Sequence, residues 1–158
     1  MNKVVAGTLA GLIATVPMSA TMLLLHRLAP PETRHTPLPP ETVTAHAAED
    51  ADVRDDLGEE GLRAATVAGH FAYGAAAGAL YAPVARLTPR PVVSGIGFGL
   101  ALWGVGYLGW VPAVGLMPSA TEQPVARNAV MIAAHAVWGA TAGLLLERLT
   151  PAPAPRGR

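Results

Sequence analysis

Residues 70–81 read His70-Phe-Ala-Tyr-Gly-Ala-Ala-Ala-Gly-Ala-Leu-Tyr81, and a second copy at 135–146 reads His135-Ala-Val-Trp-Gly-Ala-Thr-Ala-Gly-Leu-Leu-Leu146. Both copies are followed by Arg-Leu-Thr-Pro, at 86–89 and at 148–151. The shared pattern, H-x-x-[YW]-G-A-x-A-G-x-L, matches at too many positions for a chance likeness between alanine-rich segments. A fainter repeat, Gly-x-x-x-Gly-Leu, occurs at 7–12 and 95–100. The chain is therefore predicted to contain two tandem helical hairpins, 1–89 and 90–151.

The repeat also predicts how the helices pack. In each copy a histidine and two glycines recur every four residues, which places them on one face of a helix. Small residues at this spacing let helix backbones approach closely in lipid, where packing drives association. We expect packing faces on three helices, formed by Gly7, Gly11, Gly74, Gly78, Gly139 and Gly143.

The composition indicates an integral membrane protein. Of 158 residues, 51% are hydrophobic and 14% are charged, against about 25% charged in a typical soluble domain. Four runs of 22, 22, 31 and 19 residues contain no Asp, Glu, Lys or Arg, at 4–25, 64–85, 91–121 and 128–146. A helix of about 20 apolar residues crosses a bilayer and satisfies its own backbone there. We predict an all-α polytopic membrane fold with four transmembrane helices at about 4–25, 64–85, 92–111 and 122–147.

Local signals refine the ends of these helices. Tyr107 and Trp110 are placed like an interfacial aromatic belt and Pro112 follows them, so the third helix should end near Val111. The sequence Ser119-Ala-Thr-Glu122 fits a capping box that opens the fourth helix.

Pro17 lies inside the first predicted helix and should kink it, because proline leaves the carbonyl group of Ile13 without its usual partner. The hydroxyl groups of Thr15 and Ser19 are near enough in sequence to bond the freed group.

The charges predict the orientation. The face that holds both termini carries six basic residues and one acid, and the opposite face carries five basic residues and ten acids. The positive-inside rule then places both termini in the cytoplasm, with an acidic loop at 26–63 outside and a Pro/Arg-rich cytoplasmic tail at 152–158.

With ten arginines, one lysine and many alanines, the chain is expected to be a bacterial inner-membrane protein. The acids of the loop lack calcium-loop spacing and are expected to be solvated.

Two histidines are predicted to lie inside the membrane at equal depth. His70 and His135 lie about two turns from the outer ends of their helices, and His26 ends the first helix on the same side. Ionisable residues in a membrane helix usually have a function. Two neutral imidazoles could hold a transition metal or both axial positions of a haem. Alternatively they could relay protons, or simply hydrogen-bond a neighbouring helix; the last is the commonest role, so no cofactor is predicted.

Several functional classes are disfavoured. The spans hold no carboxylate, the chain has no cysteine, and no Walker, H-E-x-x-H or G-x-S-x-G motif occurs, so no enzyme is predicted. No basic patch supports nucleic-acid binding. Three classes stay open. The first is a structural or interaction subunit in the bilayer, assembled as a homo-oligomer or with a membrane-protein partner. The second is a haem or metal protein, and the third is a transporter or channel component, which would need a cavity lined by His70 and His135.

A family resemblance points the same way. The four-helix layout, the outer-loop segment Pro37-Leu-Pro-Pro40 and the stretch at 70–81 resemble small bacterial inner-membrane proteins with a domain of unknown function, akin to the YagU family. The likeness covers most of residues 4–148. It implies a multi-pass membrane protein and supplies no catalytic residues and no mechanism.

Overall fold

The computed structural model describes residues 1–85 and 90–150, which are helical and contain no strand. Three parts of the repeat and tail lie outside the described residues: the Arg-Leu-Thr-Pro segment at 86–89, Pro151 of the second such segment, and the predicted tail at 152–158. The helices are α1 Lys3–Leu28, α2 Pro31–Arg34, α3 Pro39–Asp50, α4 Arg54–Val84, α5 Pro91–Val105, α6 Val111–Ala113 and α7 Val125–Leu149. A π-helical turn, Gly106–Trp110, joins α5 to α6, and a 3₁₀ turn, Ala120–Glu122, precedes α7.

The predicted all-α class is confirmed, but the predicted count of four helices is not. Five helices of at least 12 residues occur in the described part of the chain. Three helical segments are long and apolar enough to cross a membrane, namely Lys3–Leu28, Pro91–Ala113 and Val125–Leu149. The predicted span at 64–85 is not among these three; it belongs to α4, whose apolar part also contains His70, Tyr73 and three glycines.

The segment predicted as an outer loop, 26–63, is largely helical. It contains α2, α3 and the first turns of α4. Two prolines begin α3, where the missing N–H groups would have no partner inside the helix. The Glu41 carboxylate accepts a hydrogen bond of 3.0 Å from the Leu38 backbone N–H and so caps α3. Gly58 breaks the helical path of α4 with a φ of 60°, and α3 packs against α4.

Glycine contacts hold α1 against α4. A methyl group added at Gly7 would overlap the Gly78 carbonyl oxygen, and one added at Gly11 would lie 2.8 Å from the Cα of Gly78. A methyl group at Gly74 would overlap the Thr15 hydroxyl oxygen. The two backbones therefore touch directly, as the small-residue spacing requires.

The second hairpin is closed in the same way. Gly95 faces the Gly139 carbonyl oxygen, Gly99 faces the His135 carbonyl oxygen, and Gly143 faces the Pro91 carbonyl oxygen. All six glycines named from the sequence thus lie at helix contacts within this one chain. Gly95 and Gly99, which showed only the fainter repeat, complete the second contact.

Packing of α1 on α7 joins the two hairpins. The Trp138 indole N–H donates a hydrogen bond of 3.1 Å to the Gly11 carbonyl oxygen across this contact. The equivalent pair in a perfect tandem repeat, α4 and α5, touches at only a few positions. The two hairpins therefore have alike internal packing, but the contacts between the hairpins do not follow the repeat. Because α4 and α5 barely touch, space remains beside them.

Many of the core side chains are small, and many large aliphatic side chains lie on the exterior. Seven alanines lie in the core: Ala6, Ala10, Ala14, Ala77, Ala82, Ala134 and Ala142. Large aliphatic side chains are exposed on the same helices, including Leu12, Ile13, Val16, Leu24, Leu80, Val93, Val105 and Leu144. A water-soluble domain buries its large apolar residues instead. This distribution suits a bundle surrounded by lipid.

Two local expectations are corrected. The capping box of Ser119 and Glu122 does form, but it opens the 3₁₀ turn. Helix α7 begins later, at Val125, because Gln123 precedes Pro124 and is extended, with φ −100° and ψ 155°.

The environment of Pro17 also differs from the expectation. The hydroxyl groups of Thr15 and Ser19 bond the carbonyl oxygens of Gly11 and Thr15, one turn back along the helix, and not that of Ile13. Helix α1 runs from Lys3 to Leu28 through Pro17, and the kink at Pro17 stays a prediction.

Neighbouring glycines on α5 provide a matched test of the packing. A methyl group at Gly95 would overlap the Gly139 backbone, whereas one at Gly97 meets nothing within 4 Å. We expect Gly95→Ala to lower the free energy of unfolding by about 1–3 kcal/mol through overpacking. Gly97→Ala should be neutral or stabilising by up to about 1 kcal/mol, since alanine favours the helix.

Unfolding by SDS in mixed micelles, followed by tryptophan fluorescence, measures both changes. Equal stability of the two variants would contradict the backbone contact between α5 and α7.

Candidate functional site

A cavity of about 230 Å³ lies inside the bundle and brings His70 and His135 together. Its walls come from α1, α4, α5, α7 and the π-helical turn, and Pro39, Pro40, Val43 and Thr44 of α3 cover one end. The polar lining residues include the two histidines, three threonines and two tyrosines, namely His70, His135, Thr15, Thr44, Thr66, Tyr73 and Tyr107. The third candidate histidine, His26, lies in the last turn of α1 and is not among the lining residues.

His135 is held in one orientation with one nitrogen left over. Its side chain is 5% exposed. The Nδ1 atom lies 2.8 Å from the Met131 carbonyl oxygen, and because a carbonyl only accepts, Nδ1 carries the proton and donates. The Nε2 atom then keeps its lone pair. The imidazole and the ring of Tyr107 form a T-shaped pair, with a centroid distance of 5.8 Å and an angle of 87° between the ring planes.

His70 contributes a nitrogen without a partner. Its Nε2 atom is buried and makes no hydrogen bond to any residue that the structure describes. A buried polar atom without a partner costs about 1–3 kcal/mol. A water molecule or an ion bound at the cavity wall would give this atom its missing partner.

Methionine sulfur is the second donor type in the cavity. Met18 and Met22 from α1, Met131 from α7 and Met117 from the turn before α7 all line it. The chain has five methionines, so Met1 alone is missing from this wall. The Tyr107 hydroxyl group donates to the Met131 sulfur at 3.5 Å. Sequence reasoning missed these residues, although Met18 and Met22, like Met131 and His135, are four residues apart.

The cavity wall has no formal charge. No Asp, Glu, Lys or Arg lies among its lining residues. Nowhere in residues 1–85 and 90–150 do three or more His, Cys, Asp and Glu side chains form a group suited to a metal ion. The lining instead includes two imidazoles, four thioethers and the aromatic side chains of Tyr107, Trp110 and Trp138.

A π-helical turn shapes this wall and was not predicted. Three residues of the turn, Gly106, Tyr107 and Trp110, line the cavity. Such turns occur mostly as single bulges within helices, frequently at functional sites. The Trp103 ring stacks on Tyr107, with centroids 6.2 Å apart, which fixes the Tyr107 ring beside His135.

A second, larger space lies next to the cavity, and we call it the vestibule. It measures about 820 Å³ and shares Thr66 and Met117 with the cavity wall. Unlike the cavity it has charged lining residues, namely Glu41, Arg54, Glu59, Arg63, Glu122 and Arg127. The shared wall residues show that the vestibule adjoins the cavity at the end of the bundle that carries α3.

Two long-range hydrogen bonds fasten the wall of the vestibule. Arg127 is only 5% exposed, and its guanidinium donates to the Pro37 carbonyl oxygen at 2.8 Å. The His46 Nδ1 atom lies 2.6 Å from the Leu116 carbonyl oxygen. These bonds attach α3 and the segment before it to α7 and the turn that precedes α7, so the cover of the cavity is anchored on both sides.

Comparison with known proteins gives a family and no function. A family model described as "Protein of unknown function (DUF1440)" matches residues 22–144. This match confirms the predicted resemblance to a family with a domain of unknown function. No curated protein and no solved structure matches the chain.

A cysteine-free chain allows a direct test of access to the cavity, because a single introduced cysteine is the only thiol. In His70→Cys the new thiol would line the cavity, and in the control Ala77→Cys it would lie on the same helix at a position only 3% exposed. We expect a small water-soluble methanethiosulfonate to modify residue 70 in the folded protein and residue 77 only after denaturation.

Mass spectrometry of the intact protein measures the extent of modification. A thiol at residue 70 that stays unmodified until denaturation would mean that the cavity is closed to solutes from the vestibule.

Proposed function

Because the chain belongs to the DUF1440 family, whose function is unknown, we infer a function from the chemistry of the cavity. We propose that the protein binds a small cation there and allows its passage. The cation would lie inside a membrane-embedded helix bundle, between His70 and His135. One observation carries the proposal: two imidazoles line one uncharged cavity, and neither Nε2 atom has a hydrogen-bond partner among the residues that the structure describes.

The lining favours a cation over an anion or a neutral solute. Neutral imidazole is the commonest protein ligand for metal ions and binds through a nitrogen lone pair. Thioether sulfur donates electron density as well, and aromatic faces attract cations. An anion would need donors such as arginine or lysine, and the cavity wall contains neither.

The size of the cavity favours an ion or a very small molecule. Pockets for drug-sized ligands measure about 300–1,000 Å³, and this cavity measures about 230 Å³. A haem is at least as large as such ligands, so the haem alternative is less well supported than a metal ion. The cover formed by α3 also occupies space that a flat macrocycle would need.

We further propose that α4 makes a fourth crossing, over about residues 64–84. Its glycine contacts with α1, a candidate span, hold the two helices side by side at the same depth. Its outward side chains include Val67 and Leu80, which are 59% and 65% exposed and would face lipid. Both termini would then lie on one side, in the cytoplasm of a bacterium, and the vestibule would face the outside of the inner membrane.

The proposed role is binding and passage of the ion, without catalysis. The bilayer is the immediate partner of the exposed aliphatic surface. The glycine faces are occupied inside the chain, so a homo-oligomer or a membrane-protein partner would have to use another surface.

Metal binding by the detergent-purified protein tests the proposal. We expect stoichiometric binding of Zn²⁺ or of a monovalent soft ion such as Ag⁺ in equilibrium dialysis. Binding should weaken by at least about tenfold in the double variant His70→Ala/His135→Ala, since removing even supporting groups of a metal site costs about 10–100-fold.

The matched control is His26→Ala/His35→Ala, which removes two histidines that do not line the cavity. It should bind like the wild type. A wild type that binds none of these ions, or a cavity variant that binds as the control does, would contradict the proposed function.

A further inference from the structure

We infer that the cavity is selective for a soft monovalent cation, with copper(I) as the physiological class, and that the methionines provide this selectivity. The inference rests on the proposed function and names the ligand of the same cavity. It arises from the methionine set, which the argument for a cation site between the two histidines did not require.

The donor set matches copper(I) in its chemistry. Soft thioether and thiolate ligands select Cu(I), imidazole also suits copper, and oxygen ligands suit Mg²⁺, Ca²⁺ and Mn²⁺. All four methionines after Met1 line the cavity beside two histidines. Methionine is also used to fill irregular space in cores, but such filling does not require that every internal methionine of the chain meet at one cavity.

The donors are placed in pairs on helices that touch. Met18 and Met22 are four residues apart on α1, and Met131 and His135 are four residues apart on α7. This spacing puts both members of a pair on one helix face. Because α1 and α7 pack together, the two pairs face a common space, which α4 completes with His70.

The absence of charge from the cavity wall selects a monovalent ion. Moving an ion out of water costs several kcal/mol even after relaxation, and the cost rises steeply with charge. A divalent ion such as Zn²⁺ can bind the two imidazoles, but it should be held less tightly than a monovalent ion because the cavity wall has no carboxylate to balance the second charge. Neutral thioethers and imidazoles leave a single positive charge, which the aromatic side chains of the lining can help to stabilise.

The methionines also mark a route for the ion. Met117 lines both the vestibule and the cavity, so it can receive an ion at the entrance. Met22 lies nearer the α3 end of α1, and Met18 lies about one turn deeper, some 6 Å along the axis. A weakly held soft ion could move from Met117 to the two inner pairs by exchanging one sulfur for the next.

The triple variant Met18→Leu/Met22→Leu/Met131→Leu tests the inference. Leucine and methionine have similar volumes and the exchange is usually tolerated, so the cavity wall should persist without its sulfur. Affinities for Ag⁺, and for Cu⁺ under a reductant with a competing chelator, should fall at least about tenfold. Affinity for Zn²⁺, held by the histidines, should stay unchanged.

A second lining variant, Leu102→Ile, changes the apolar wall and removes no sulfur. It should bind Cu⁺ and Ag⁺ like the wild type. X-ray absorption of the Cu⁺-loaded wild type should find both sulfur and nitrogen bound to copper, a readout that does not depend on any variant folding.

The outcomes separate the two proposals. If Zn²⁺ binds through His70 and His135 but the triple variant retains full Cu⁺ affinity, or if copper has only nitrogen and oxygen neighbours, this inference is wrong and the proposed cation site survives. If the wild type binds neither Zn²⁺ nor Cu⁺ nor Ag⁺, both are wrong.

Discussion

Direct backbone contact between glycines is the constraint on which the rest of this structure depends. Gly7 and Gly11 meet Gly74 and Gly78, while Gly95 and Gly99 meet the 135–143 part of α7. In lipid no hydrophobic force draws helices together, so the contact area that glycine permits has to hold each hairpin closed. The Trp138 hydrogen bond to Gly11 then ties one hairpin to the other.

The position of these contacts explains where the cavity lies. The glycines of α1 lie in its first half, and those of α4 that meet them lie towards its end. Beyond that zone larger side chains take their place: Met18 and Met22 on α1, His70 and Tyr73 on α4, Tyr107 and Trp110 after α5. Helices held together at one end and spaced by bulky residues at the other leave room between them, which α3 covers. The site is thus a consequence of the packing, and its chemistry comes from the side chains that space the helices.

The sequence predicted the features that depend on spacing along a single helix. The repeat placed the glycines on packing faces and put His70 and His135 at equivalent positions, because a period of four has one geometrical meaning in a helix. Features that depend on distant segments were not accessible. Nothing in the local sequence shows that Met117 and Met18 share a wall, that α3 covers the cavity or that Arg127 reaches Pro37. The π-helical turn at Gly106–Trp110 was missed because several residue patterns permit such a turn. The late start of α7 was accessible from the sequence, since Pro124 disfavours a helical Gln123.

The central claim is that a cation is bound between His70 and His135 within the bundle. Anomalous X-ray diffraction from crystals of the Ag⁺-loaded protein tests it most directly, because the metal position is read without reference to any variant. The account predicts an anomalous peak inside the cavity, at coordinating distance from the Nε2 atoms of both histidines. Anomalous peaks confined to the protein surface, with the cavity filled by water or lipid, would contradict it.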